Sequence, residues 1–204
     1  MKNIFAMLCA IALLVACERK TQDRAETVAN IPAPTPVENA SLSQDQLLER
    51  GKYLVAIGSC NDCHSPKDAS PEKGKEGAPD PNRLMSGHPA TEKLPPLAAG
   101  ANNDGWVRFS MGSTAMVGPW GTSFAANLTP DPTGIGNWTL DNFKTALREG
   151  KYKGMENNRN LLPPMPWPNY QSMTDQDVEA IFTYLKSLPP VKNVVPAPIP
   201  PAAS

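Results

Sequence analysis

Histidine and cysteine are scarce in this 204-residue sequence: there are two histidines, His64 and His88, and four cysteines, Cys9, Cys17, Cys60 and Cys63. The usual zinc finger needs a spaced pair of histidines after its cysteine pair, and no such pair exists, so zinc is a poor fit. An excess of charge is missing as well. Lys and Arg number 19 against 20 Asp and Glu, a balance that gives no basic surface for nucleic acid. Long apolar runs are absent too. The run from Ile4 to Val15 falls short of the roughly 20 residues that a bilayer-spanning helix requires.

What is present is a pentapeptide, Cys60-Asn61-Asp62-Cys63-His64. This is the C-x-x-C-H pattern of covalent haem attachment: two thiols form thioethers to the haem vinyls, and the adjacent histidine is placed to ligate the iron from the proximal side. A dithiol redox pair prefers a strand-to-helix context, whereas here the motif follows a helix ending near Ile57-Gly58-Ser59. Haem c is the favoured cofactor, with Cys60 and Cys63 as its covalent attachments, His64 as one axial ligand, and zinc or dithiol chemistry as the alternatives.

The first sixteen residues, with Lys2, the apolar run and small Ala16, have the layout of a secretory signal peptide. Their end, Leu14-Val15-Ala16-Cys17, resembles the lipobox of bacterial lipoproteins. The resemblance implies that Cys17 becomes the acylated N-terminus of a mature chain held at the periplasmic face of a membrane; an ordinary signal peptide containing a cysteine is the alternative. Each buried methylene of such an anchor contributes about 0.8 kcal/mol. Glu18 follows where enterobacterial lipoproteins retained at the inner membrane carry aspartate, which favours the outer membrane. With Cys9 in the signal, Cys17 lipidated and Cys60 and Cys63 on haem, no structural disulfide remains to be proposed.

Residues 17–42 hold Pro32, Pro34 and Pro36 among small and charged residues without apolar periodicity. This reads as a flexible tether reaching on the order of 30 Å. Residues 43–190 form one domain of ordinary size, and the proline-rich tail 191–204 reads as extended rather than packed. Three helices follow from caps and periodicity. The first is capped by Ser43 with Gln46 reaching back, and carries Gly51, a costly helix-interior residue that close approach of another helix would explain. The second runs from cap Thr139 through Phe143 to Gly150. The third begins at Thr174 with Asp177 completing a capping box, Met173 stapling against Val178, and an apolar stripe of Val178, Ile181, Phe182, Leu185 and Leu188. The stretch 65–132, rich in Gly and Pro, reads as a long irregular insertion; Phe109, Met111, Ala115, Val117 and Trp120 suggest a short hairpin interrupted by Gly112 and Gly118.

The second axial ligand is expected from Met165. A neutral thioether suits reduced iron, and prolines on both sides, in Leu161-Leu162-Pro163-Pro164-Met165-Pro166-Trp167-Pro168, stiffen the loop so that less entropy is lost on ligation. The alternative is a core-filling methionine. The other methionines have duller readings: Met173 is the staple, Met155 lies in a hydrophilic stretch, and Met111 and Met116 sit close to glycines. His88, in a turn-like Ser86-Gly87-His88-Pro89, is expected at the surface.

Taken together, a helix ending in C-x-x-C-H, a proline-flanked methionine and a final helix with Tyr184-Leu185-Lys186-Ser187-Leu188 resemble a class I c-type cytochrome. Asn127-Leu128-Thr129-Pro130-Asp131, Thr133-Gly134-Ile135-Gly136, Trp138-Thr139, Phe143, Leu147-Arg148-Glu149-Gly150 and Pro164-Met165-Pro166-Trp167 are similar to cytochrome subunits and domains of bacterial membrane dehydrogenases. The resemblance covers about residues 43 to 192. It implies a mainly α cytochrome c fold, three or more helices around one covalent haem, with Gly51 crossing the Phe182 and Tyr184 region. It also implies one-electron transfer between a redox-protein donor and acceptor, without nucleic acid and without a small-molecule substrate. Unlike multi-haem members, this sequence has a single C-x-x-C-H. A haem enzyme or gas sensor with a displaceable sixth ligand is the second function, and a structural lipoprotein without haem the third. Asn127, Trp138 and Arg148 are candidate partners of the haem propionates. Arg148, Lys151, Lys153 and Arg159 form a candidate docking patch for an acidic partner.

Overall fold

A computed structural model describes residues 41–70, 76–98, 100–102 and 104–201; the signal, Cys17 and the tether lie outside them. Helix α1 spans Gln44–Ile57. Its capping box is complete: Gln46 N–H donates to Ser43 Oγ at 3.3 Å and Ser43 N–H to Gln46 Oε1 at 2.9 Å, satisfying two donors that helix geometry leaves orphaned. A single turn, α2, covers Cys60–His64. Helix α3, Leu140–Glu149, is capped by Thr139 and ends at Gly150 with φ of 66°, the left-handed conformation in which glycine has no Cβ penalty. Helix α4 is Asp175–Ser187.

Only half of the capping box expected at the start of α4 forms. Thr174 Oγ1 accepts from Asp177 N–H at 3.1 Å, but the Asp177 carboxylate turns away and accepts from Arg50 Nε on α1 at 2.9 Å. A tertiary ion pair has taken the side chain that local capping would have used. The two helices cross at Gly51, where a Cβ would overlap the Ala180 carbonyl oxygen and stand 2.7 Å from Tyr184 Cβ. Phe182 rests instead on Phe143 of α3, ring centroids 5.3 Å apart.

The stripe on α4 buries as its periodicity predicts: Val178, Ile181 and Leu185 join Leu47, Leu54, Val55 and Phe143 in one core, with Phe182, Leu188 and Met173 packed at its margin. Each such side chain contributes roughly 1.5–3 kcal/mol on burial. Met85 and Ile135 belong to the same core although neither lies in a helix, and Lys186 Nζ holds the second of these loops by donating to the Gly136 carbonyl at 2.6 Å.

The insertion is less irregular than its composition suggests. Strands β1 (Arg108–Phe109), β2 (Ala115–Gly118) and β3 (Gly121–Phe124) form an antiparallel sheet in that order. Gly118 pairs with Gly121 across the turn Pro119-Trp120, so it closes a hairpin rather than interrupting one. Met111 is fully exposed and takes no part in the sheet. The tail also departs from expectation. It is extended but packed: Thr122 N–H donates to the Ile199 carbonyl at 2.8 Å and Ile199 N–H to the Thr122 carbonyl at 2.9 Å, which satisfies the free edge of β3. Proline excluded helix there; it did not exclude pairing at the one residue of Pro198-Ile199-Pro200 that keeps an N–H. Among the described residues no helix is long and apolar enough to cross a membrane.

Candidate haem-attachment site

The chain leaves α1 by a sharp step. Gly58 closes the helix with its N–H on the Leu54 carbonyl at 2.9 Å, and Ser59 takes φ of 53°, a conformation costly for a residue with a Cβ. The turn that follows puts Cys60, Cys63 and His64 at i, i+3 and i+4, on one face. Cys60 and Cys63 are free, half-buried thiols. Burial pushes the pKa of each upward, so both rest as neutral thiols. Burial raises the Tyr170 phenol and, secondarily, so do the charges Cys60 and Cys63 would carry.

His64 is held at both its main chain and its ring. Its Nδ1 lies 2.8 Å from the Ala126 carbonyl oxygen, and since a carbonyl only accepts, Nδ1 carries the hydrogen and Nε2 presents its lone pair. Burial lowers the His64 pKa, with the Ala126 carbonyl opposing, so the ring is neutral, the form that binds metal. The His64 carbonyl accepts from Gly87 N–H at 2.8 Å. Gly87 must be glycine on two counts: its φ is 76° and a Cβ would lie 2.6 Å from the Ala125 carbonyl oxygen. A neutral imidazole of fixed tautomer beside two thiols on one helical face is the donor set that a covalent haem requires. Among the described residues no group of three or more His, Cys, Asp or Glu could hold a metal ion, so the ligand set of the zinc alternative is not gathered there.

Met165 is half-buried in a segment fixed at both ends. On one side the Pro163 carbonyl accepts from Ser123 Oγ of β3 at 2.7 Å. On the other, the Trp167 ring lies flush on Gly150, where a Cβ would overlap it. The short 3-10 helix Trp167–Tyr170 follows. Of the rival methionines, Met155 is exposed, Met116 is buried in β2 and Met173 packs on the core.

His88 is not at the surface. It is 1% exposed, its Nδ1 is 2.8 Å from Thr114 Oγ1 and its ring is 4.8 Å from that of Phe124. The sheet covers the turn-like segment that local sequence would leave in solvent. The propionate candidates have other engagements. Asn127 Nδ2 donates to the Val191 carbonyl at 2.9 Å, Trp138 packs against the core, and Arg148 pairs with Asp175 at 2.6 Å while its Nε is buried without a partner. In the basic segment Arg159 and Lys153 lie over the Tyr152 ring at 4.1 and 5.6 Å. Sequence reasoning did not single out Gly87, Ala126 or Tyr170. A backbone carbonyl carries no residue signature, and only the positive φ demanded at Gly87 had a signal in its residue type.

Residues 118–189 match the cytochrome c family model. Among curated proteins the chain is 31% identical over 170 residues to a nicotinate dehydrogenase subunit of Pseudomonas putida, covering 83% of this chain and 11% of that one. It is 32% identical over 150 residues to the gluconate 2-dehydrogenase cytochrome c subunit of Pantoea cypripedii, 71% of this chain and 25% of the other. It is 28% identical over 156 residues to the fructose dehydrogenase cytochrome subunit of Gluconobacter japonicus, 76% and 22%. The chain thus spans a quarter or less of the length of these relatives.

Proposed function

From the premise that this chain is a c-type cytochrome similar to the cytochrome c subunits of bacterial dehydrogenases, we propose that it holds one haem c and carries single electrons from a dehydrogenase to a respiratory acceptor. The observation that carries the reading is the His64 Nδ1–H bond to the Ala126 carbonyl on the same turn as two free thiols. Cys60 and Cys63 would hold the haem by thioether bonds, and His64 Nε2 and the Met165 sulfur would ligate its iron. When bound, the haem supplies a one-electron iron couple, and the thioether of Met165 favours its reduced state. The residues do the rest: the Ala126 carbonyl orients the imidazole, and Ser123 and Gly150 keep the Met165 segment in place. With His64 and Met165 both holding the iron, no substrate would need to reach it, and the chain acts as an electron-transfer protein, not as an enzyme. The lipobox at Cys17 supports a lipid anchor at the periplasmic face of the bacterial envelope, with the outer membrane favoured by Glu18.

The optical spectrum of purified wild type and Met165→Ala tests this. A methionine-to-iron(III) charge-transfer band is expected in the wild type and lost in the variant. Its absence from a haem-loaded wild type would exclude Met165 as ligand and favour a haem enzyme or sensor with an open sixth position; the absence of haem altogether would sink the proposal.

A further inference from the structure

Beyond the last helix, residues 191–199 run back across the domain as a strap whose middle grips both sides of the His64 cradle. On one side, Asn193 Nδ2 donates to the carbonyls of Ser86 at 2.6 Å and His88 at 2.9 Å, the two residues flanking Gly87, whose N–H binds the His64 carbonyl. Asn193 Oδ1 accepts from Ala90 N–H at 3.0 Å, so the whole side-chain amide is spent on the 86–90 backbone. On the other side, Asn127, 5% exposed and adjacent to the Ala126 carbonyl that receives the His64 ring hydrogen, donates to the Val191 carbonyl at 2.9 Å. The two sides are also joined directly, by His88 N–H on the Ala125 carbonyl at 2.9 Å. The strap itself is registered by Asn193 N–H on Thr133 Oγ1 at 3.0 Å.

We propose that Asn193 is a positioning residue for the axial histidine: by fixing segments 86–88 and 125–127 relative to one another, it sets the length and direction of the His64 Nδ1–H bond to Ala126. The inference rests on the haem assignment above. A well-made bond from Nδ1–H to a carbonyl raises the basicity of the ligating nitrogen, and a more basic axial ligand favours the oxidised iron. Loosening the cradle therefore raises the reduction potential.

Spectroelectrochemical titration of the haem-loaded protein reads this directly. Asn193→Ala, which frees the Ser86 and His88 carbonyls, is expected to shift the potential upward while the charge-transfer band persists. Ile199→Pro is the control: it removes the Ile199 N–H bond to Thr122 at the far end of the strap, and is expected to lower the melting temperature with the potential unchanged. If Asn193→Ala does not assemble with haem, Asn193→Ser, which keeps one hydroxyl donor, is expected to give a smaller shift in the same direction. An unchanged or lowered potential in the Asn193 variant, or equal shifts in Asn193 and Ile199 variants, would show that the strap only stabilises the fold. A wild type without covalent haem would overturn the parent assignment, and this one with it, and is distinguished by the absence of any haem spectrum.

Discussion

The Ala180 carbonyl oxygen of α4 occupies the space in which a Cβ on Gly51 of α1 would stand. The first and last long helices therefore meet backbone to backbone, and the cofactor turn, only three residues beyond the end of α1, inherits its position from that crossing.

Gly51→Ala is expected to destabilise the fold. Alanine is the better helix former by about 1 kcal/mol, but the obstructing atoms are backbone and Tyr184 Cβ, which cannot rotate aside. Overpacking of this kind costs about 1–3 kcal/mol or more, so the crossing decides the sign. Denaturant unfolding of the variant should show a lowered midpoint; a raised midpoint would mean that the helices separate at little cost.

The two thiols should contribute separably to attachment. Cys60→Ser or Cys63→Ser alone leaves one thioether, so haem should still migrate with the denatured chain on a gel stained for haem peroxidase activity. The double variant should carry none, although His64 can still bind haem reversibly. Retention of stain by the double variant would place the attachment elsewhere.

Asp175 joins α4 to α3 by accepting from Arg148 at 2.6 Å and Lys144 at 3.0 Å, and the Arg148 bond above all holds its carboxyl below the usual range. A folded-state pKa below the unfolded one gives stability that is present above the unfolded value, about 3.9, and is lost as pH falls through the folded value. Asp175→Asn should therefore melt earlier than wild type at neutral pH, and the two melting curves should converge on acidification. Because the Asp175 carboxylate is exposed, about 0.5 M salt should narrow the gap as well. A difference that persists in acid would point to helix capping rather than charge.

Lys153 and Arg159 are exposed and precede the Met165 segment in the sequence, whereas Arg148 is already committed to Asp175. Electron transfer with an acidic partner should thus slow as ionic strength rises, and Lys153→Glu with Arg159→Glu should slow it further at low salt only. Rates indifferent to salt would discard the patch.

Part of this architecture is written locally. The Ser43 and Thr139 caps, the glycine stop at 150, the α4 stripe and the C-x-x-C-H turn depend on residues within one or two helical turns of each other, so their physics is complete in the sequence. The haem reading rests on the same kind of local signal: two thiols and an imidazole at i, i+3 and i+4 share a face wherever that turn is helical. What required the tertiary structure was every choice between partners distant in the chain. Asp177 was open to its own helix N-terminus or to Arg50, and took Arg50. His88 sits in a segment that local pattern assigns to solvent, and β2 and β3 enclose it. Pro198, Pro200 and Pro201 carry no N–H, yet Ile199 between them keeps one and finds the edge of β3. The bond that fixes the imidazole goes to the main-chain carbonyl of Ala126, a group every residue possesses, so no sequence pattern could single it out. Residue types determined which cofactor the chain can attach, and only the packing of distant segments decided how its histidine is held.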